Sequence, residues 1–328
     1  MDLNKIRFLH DILIQSEDEG IFLIKSNKYS IKELQTILEI ACENNYYNTV
    51  KYLIGIINPI YPSLLSPLHY ASLRGHINIV QFLLDNNMDA NTKSSIGTTA
   101  IHFAFNKEIA ELLIKHGADI YHRDNINNTI LHTSSMYKLY DSIIYFIELG
   151  IDINARNAFG HTALHEASRN SSPMVVSILL DNNADIDTKD NTDSSPFYDA
   201  CFYGNIDVIS LFLDKVITKK VLNANKYLEV VCERYEYELY NIKEREKYKD
   251  IAIMLITHGA EIGSINLNNP LFQKIIKSRE ESIEFVKEVS LATGLLFDIS
   301  NIVFDYRYIY FDDIHYDMAA EALKAVNL

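Results

Sequence analysis

One feature constrains this chain more than any other: a short pattern returns at nearly constant spacing. Ser66-Pro67-Leu68-His69-Tyr70-Ala71 is matched by Thr99-Ala100-Ile101-His102-Phe103-Ala104 and Thr129-Ile130-Leu131-His132. Thr162-Ala163-Leu164-His165-Glu166-Ala167 and Ser195-Pro196-Phe197-Tyr198-Asp199-Ala200 follow. The aligned anchors are His69, His102, His132, His165 and Tyr198, so the steps are 33, 30, 33 and 33 residues. A period of this length is the mark of a repeat architecture, in which each unit is one supersecondary element.

A second block follows each anchor. It reads Val80-Gln81-Phe82-Leu83-Leu84-Asp85 in one copy and Ala110-Glu111-Leu112-Leu113-Ile114-Lys115-His116-Gly117-Ala118-Asp119 in the next. Within it, Ile79, Val80, Leu83 and Leu84 share one face of a helix. Each unit is therefore a pair of short amphipathic helices. Helices this short do not persist alone, and a single pair cannot cover its apolar face, so neighbours must stack. Weaker copies carry the array upstream to an anchor at Glu39 and downstream to anchors at Glu229 and near Asn269.

The repeated T-P-L-H-x-A and L-L-x-x-G-A-D-I-N patterns resemble the ankyrin repeat family. The resemblance implies an all-α fold: an ankyrin-repeat solenoid of about eight helix-turn-helix units with N- and C-terminal caps. It divides the chain into residues 1–30, an N-terminal cap or degenerate repeat; residues 31–288, the repeat array; and residues 289–328, a C-terminal cap or small docking segment. The unit anchored at Glu229 is about ten residues longer than the others. Its charged, aromatic insertion around 233–248 reads as a lengthened first helix or a helical protrusion.

Several positions have a structural reading. A small residue stands two places after most anchors (Ala41, Ala71, Ala104, Ser134, Ala167, Ala200), where helices approach closely. Cys42, Cys201 and Cys232 share the next slot with Ser72, Ser135 and Ser168, and so read as core fillers, not reactive thiols. Gly117, Gly150 and Gly259, with Asn87 and Asn183, fall where a left-handed helix C-cap is wanted. The four anchor histidines invite a metal reading, but they are one helix stack apart, roughly 8–10 Å, whereas zinc holds its ligands about 2 Å from one centre. Each imidazole is instead expected to tie down the turn before its own helix.

The remaining motifs exclude more than they suggest. No phosphate-binding glycine loop, HExxH or GxSxG segment is present, and the acids are scattered, so the chain reads as no enzyme, with no cofactor, no metal and no small-molecule substrate. The formal net charge of −14 repels nucleic-acid phosphates and anionic membranes. No signal peptide is expected, and widely spaced cysteines fit a reducing compartment, hence the cytoplasm.

What remains is binding of another protein. In stacked helix pairs the first helices and the turns between units line a concave face. The outward positions near anchor +1, +4 and +5 give Tyr70, Arg74, Phe103, Met136, Tyr137, Arg169, Phe202 and Tyr203 as candidate partner-binding residues. Glu166 and Asp199 fall in the same register. The turns 93–97, 124–128, 157–160 and 190–194 are secondary candidates. Irregular unit lengths and the heavy use of Ile, Asn, Asp and Tyr resemble the ankyrin proteins of poxviruses. That resemblance implies a host-interaction factor in the host-cell cytoplasm with a host protein as partner. Many members of that family end in an F-box-like segment that recruits a ubiquitin ligase. The alternative function is therefore a substrate-recruiting adaptor acting through residues 289–328, although no Leu-Pro-x-Glu-like opening is found there.

Overall fold

The computed structural model of the chain describes residues 3–57, 65–216, 224–237 and 241–257. Every regular element among them is helical. The expected unit near Asn269, Gly259 and the segment 289–328 lie outside the described residues. The chain divides into two compact units, residues 1–199 and 200–328.

In the first unit, helices come in pairs. The first pair is α1 (Leu3–Gln15) and α2 (Glu17–Ser26), and the next is α3 (Ile31–Glu43) and α4 (Tyr47–Ile54). Residues 3–26 thus form a helix pair in their own right. Gly20 is what lets α1 and α2 touch: a Cβ there would lie 2.3 Å from the Leu13 side chain. Glu17, at the start of α2, accepts hydrogen bonds from the Thr49 backbone N–H (2.9 Å) and hydroxyl (3.0 Å), satisfying an otherwise free donor in the first turn of α4. The outer face of this pair is not polar, since Phe8, Ile14 and Phe22 are exposed.

Regular units follow as α5 (Pro67–Arg74) with α6 (Ile77–Asp85), a 3₁₀ turn (Ala100–Phe103) with α7 (Lys107–Lys115), and α8 (Ile130–Tyr137) with α9 (Tyr140–Glu148). Next comes α10 (Ala163–Arg169) with α11 (Pro173–Asp181); α12 (Pro196–Tyr203) crosses the boundary at residue 199, and its partner α13 (Ile206–Val216) belongs to the second unit. Leu68, Ile101, Leu131, Leu164 and Phe197, each just before its anchor, are all buried, as are Ile79, Val80, Leu83 and their equivalents. Asn87, Gly117, Gly150 and Asn183 close the second helices at φ between 62° and 84°. A second left-handed corner, between the two helices of a unit, is filled by Asn45, Gly75, Lys138, Ser171 and Gly204.

The anchor histidines do what the spacing predicts, and more. In each of His69, His102, His132 and His165, Nδ1 accepts from the backbone N–H of the Ser or Thr three residues earlier, at 3.0–3.2 Å. That fixes the proton on Nε2. Nε2 of His69, His132 and His165 then lies 2.9–3.1 Å from a carbonyl in the following unit: Thr98, His161 and Ser194 respectively. Each ring therefore caps its own helix and ties down the next turn. Burial holds His69, His102 and His165 down to about 4, and lowers His132 as well.

His102 is the exception, with no acceptor for its buried Nε2 among the described residues. Its unit is the one entered by a 33-residue step and left by a 30-residue step. The missing residues shorten its first helix to a four-residue 3₁₀ turn, and Asn106 caps α7 directly, its Oδ1 accepting from the Ile109 N–H at 3.0 Å. This overturns one expectation of the periodicity. Phe103, placed outward by the register of a full helix, is 1% exposed and packs edge-on against His69 (5.9 Å) and Tyr137 (5.1 Å).

In the second unit, α14 (Ala224–Tyr237, 14 residues) and α15 (Ile242–Thr257, 16 residues) are about twice as long as α10. The insertion thus lengthens both helices of its unit. Leu228, Val231, Tyr235, Ile251 and Leu255 form their shared core, with Tyr248 2% exposed. Cys42, Cys201 and Cys232 are all buried and reduced, and burial pushes the thiols of Cys42 and Cys201 up, as core filling requires.

Candidate partner-binding face

The turns between units in residues 94–194 share one construction. Residues 94–98, 124–128, 157–161 and 190–194 each close with a backbone bond from the first N–H to the last carbonyl, at 2.8–3.1 Å. The fourth position is left-handed: Gly97, Asn127, Gly160 and Asp193, at φ 62–82°. In three of them the leading side chain accepts two turn N–H groups through one oxygen: Asp124, Asn157 and Asp190. Successive turns are also bonded tip to tip. Asn125 N–H donates to the Ile96 carbonyl (3.1 Å), Ala158 to Ile126 (2.9 Å) and Asn191 to Phe159 (3.0 Å).

This ladder spends the backbone groups of each tip on its neighbour and turns the tip side chain outward. Ile96, Ile126 and Phe159 are 47%, 41% and 53% exposed. Three large apolar groups thus stand one repeat apart on a rigid, hydrogen-bonded edge. Their signal in the sequence is an apolar residue immediately before the Gly or Asn that takes the left-handed position.

The helix positions picked from the sequence divide. Met136 and Tyr137, at the end of α8, are exposed, and Tyr137 rests its ring on Phe103. Tyr70 is half-buried, with its hydroxyl pushed up by burial and by Glu39 and Glu43. Arg74 is exposed and paired with Glu43 at 2.5 Å, a surface contact of little stabilising value. In the second unit Tyr203 is exposed, whereas Phe202 is half-buried: the Arg234 guanidinium lies 4.9 Å from its ring centre. The same guanidinium lies 5.0 Å from Tyr237 and 5.7 Å from Tyr248. Tyr248 donates its hydroxyl to the Phe202 carbonyl at 2.9 Å. Gly204, at φ +68°, makes room, since a Cβ there would meet Lys247 at 2.3 Å. Phe202 therefore does structural work that the register did not disclose.

Arg169 belongs to a polar cluster in the first unit. Its Nη1 is 3.1 and 3.0 Å from the two ring nitrogens of His161. His161 Nδ1 is 3.0 Å from Glu166 and Nε2 is 3.3 Å from Asp190. The His161 ring stacks on His165 with centres 5.5 Å apart and planes 15° apart. Hydrogen bonds to His161 and to turn groups hold Glu166 and Asp190 below the usual carboxylate range, against a desolvation that raises both. Asp199 goes the other way: burial pushes its carboxyl up to about 6, and its Oδ2 has no donor among the described residues.

Among the described residues, no three His, Cys, Asp or Glu side chains could hold a metal ion, and no helix is long and apolar enough to cross a membrane.

Comparison with known proteins agrees with this architecture. "Putative ankyrin repeat protein FPV223" of fowlpox virus (strain NVSL) is 28% identical over 141 residues, covering 42% of this chain and 99% of the viral one. "Serine/threonine-protein kinase 12" of Arabidopsis thaliana is 42% identical over 65 residues, two repeat periods in length. That match spans 20% of this chain and only 14% of the kinase. The family model described as ankyrin repeats (3 copies) matches residues 38–124, 68–157 and 131–225, together more than half of the chain. With this match over the same residues that carry the anchors, the paired helices and the bonded turns, the chain belongs to the ankyrin repeat family.

Proposed function

We propose that this chain is a non-catalytic scaffold that holds another protein against the turns and first helices of residues 66–199. Ankyrin repeats are a protein-interaction module, and the observation that carries the finer reading is the row of Ile96, Ile126 and Phe159. Exposed apolar side chains at fixed spacing, on turns hydrogen-bonded tip to tip, offer contact area at little entropic cost. Met136 and Tyr137 add an aromatic and a methionine, types enriched where binding energy concentrates. The strongly acidic chain favours a protein partner over nucleic acid or an anionic membrane.

The similarity to a fowlpox protein along nearly its whole length supports a viral origin; on that footing the scaffold is a host-interaction factor acting in the host cytoplasm on a host protein. The ligase-adaptor reading rests on residues 289–328, outside the described residues, and no observation favours it.

Crosslinking mass spectrometry on the full chain identifies the partner and the crosslinked residues. The double variant Ile126→Ser, Phe159→Ser is then expected to bind it at least about tenfold more weakly with helical circular dichroism unchanged. Equal affinity would remove the turn row from the interface.

A further inference from the structure

We propose that the cluster of Glu166, Asp190 and Asp199 around His161 is a subsite for a guanidinium group, in which an arginine of the bound partner takes the place of Arg169. The inference rests on the protein-binding reading above for its biological use, though the site is argued from its own geometry.

Three acids bear on one another's charge here within the first unit: Glu166 from α10 and Asp190 from the last bonded turn, both against His161, and Asp199 from the start of α12. All are largely withdrawn from water, with side-chain exposures of 12% for Glu166 and 6% for Asp190, and 6% for residue Asp199. His161 engages the first two through its two ring nitrogens. The third carboxylate keeps Oδ2 buried without a donor among the described residues. A buried acceptor left unmet is costly and is tolerated where a ligand completes it.

The chemistry of the missing donor follows from what surrounds it. A metal ion is excluded by geometry, because the donors do not converge on one point. A guanidinium suits spread acceptors, since it offers five N–H donors in a planar fork and stacks on flat rings. The stacked His161–His165 pair supplies such a surface, and Arg169, half-exposed at the rim, already lays its guanidinium against it. Arg169 thus marks the chemistry the cluster accepts. A partner's arginine in its place gains the Asp199 oxygen and charge-assisted bonds worth about twice a neutral one. A chain of net charge −14 also favours a basic partner at encounter.

Titration of the full chain with N-acetyl-arginine amide, followed by calorimetry and by the His161 ring signals in NMR, tests this. Expected is saturable binding in the millimolar range, with no saturation by the neutral isostere N-acetyl-citrulline amide. Asp199→Asn, which keeps the shape, should weaken binding by about tenfold or more, the value of one charged hydrogen bond. Glu108→Gln, an exposed acid on α7, should change nothing. Arg169→Gln removes the internal competitor and should tighten binding several-fold, and it answers the question even if Asp199→Asn fails to fold. Equal binding of citrulline and arginine amides, wild-type affinity in Asp199→Asn, or no tightening in Arg169→Gln would each overturn the proposal. Because the probe is a single amino-acid derivative, a failure here leaves the scaffold reading standing, and failure of the turn-row variants leaves this site standing.

Discussion

Residues 66–199 and residues 224–257 are both built of helix pairs, yet they are held by different means. In the first region helices of seven to nine residues are fastened by turns: bonded tips, Asx-type acceptors and a buried histidine that caps one helix and grips the next turn. In the second, helices of 14 and 16 residues carry no histidine at all. There one cation, Arg234, is set among Phe202, Tyr237 and Tyr248. The contrast shows two ways to stabilise the same motif. Short helices need polar fastening at their ends, whereas long ones have enough buried side-chain area to do without it.

The largest expected effect separates the two by acid. A histidine buried neutral has a folded pKa below its unfolded value of 6.5, so its contribution is complete above 6.5 and is lost as pH falls toward 4. Each such ring costs about 1.4 kcal/mol per pH unit in that window. The three held to about 4 therefore remove about 6 kcal/mol between pH 7 and pH 5. Asp199 has the opposite sign. Its folded pKa is raised to about 6, so the penalty it carries at pH 7 shrinks on acidification, returning about 1 kcal/mol. Hydrogen exchange at the two pH values, corrected for intrinsic rates, should show 66–199 losing protection and 224–257 keeping it. Equal loss in both regions would break the comparison.

The next effect sharpens it from within the regular region. Phe103→Ala should cost about 3–5 kcal/mol, as a fully buried phenyl ring does, whereas Tyr137→Ala, half-exposed on the same contact, should cost about 1 kcal/mol. Chemical denaturation of the two variants measures this. Similar costs would mean that the 3₁₀ turn does not bury Phe103 as described.

These two residues also show how far the sequence could be read. The anchors gave the helix pairs, the capping histidines, the left-handed closures and the core residues, because each is a local requirement repeated in register. Phe103 escaped because the register argument assumes a full helix, and a three-residue shortening turned it inward. Phe202 escaped for a different reason: its cover, Arg234, comes from 32 positions away, inside an insertion that no repeat pattern describes. The hydrogen bond from His132 to the His161 carbonyl was half legible, since the cap is local and the grip on the next unit is not. The cluster around His161 was visible only as scattered candidates, Glu166, Arg169 and Asp199. Its meaning lies in burial and in the turn that brings Asp190 beside them.

A smaller effect probes the second region alone. Arg234→Ala removes a cation held over three rings and should destabilise residues 200–257 by about 1–2 kcal/mol. Arg234→Lys should recover only part of this, because an ammonium lacks the planar face that stacks on rings. Hydrogen exchange in α14 and α15 reads the effect locally. If Lys restored full protection, the contact would be mere charge, and the claim that aromatic packing replaces polar fastening would fail.

The smallest effect on stability falls where the regular region faces outward. Phe159 is more than half exposed, and the bond its carbonyl accepts from the Asn191 N–H does not involve the ring. Phe159→Ser should therefore shift stability by no more than about 0.5 kcal/mol, as surface substitutions do. Its tip carbonyl and the left-handed Gly160 keep the turn in place whatever side chain stands there. A larger loss, seen as a lowered denaturation midpoint, would mean that the ring braces the ladder and that the apolar tips belong to the fastening of the short-helix region. A near-zero change leaves the ring with no part in holding the fold, and its exposure is then accounted for by what it meets outside the chain.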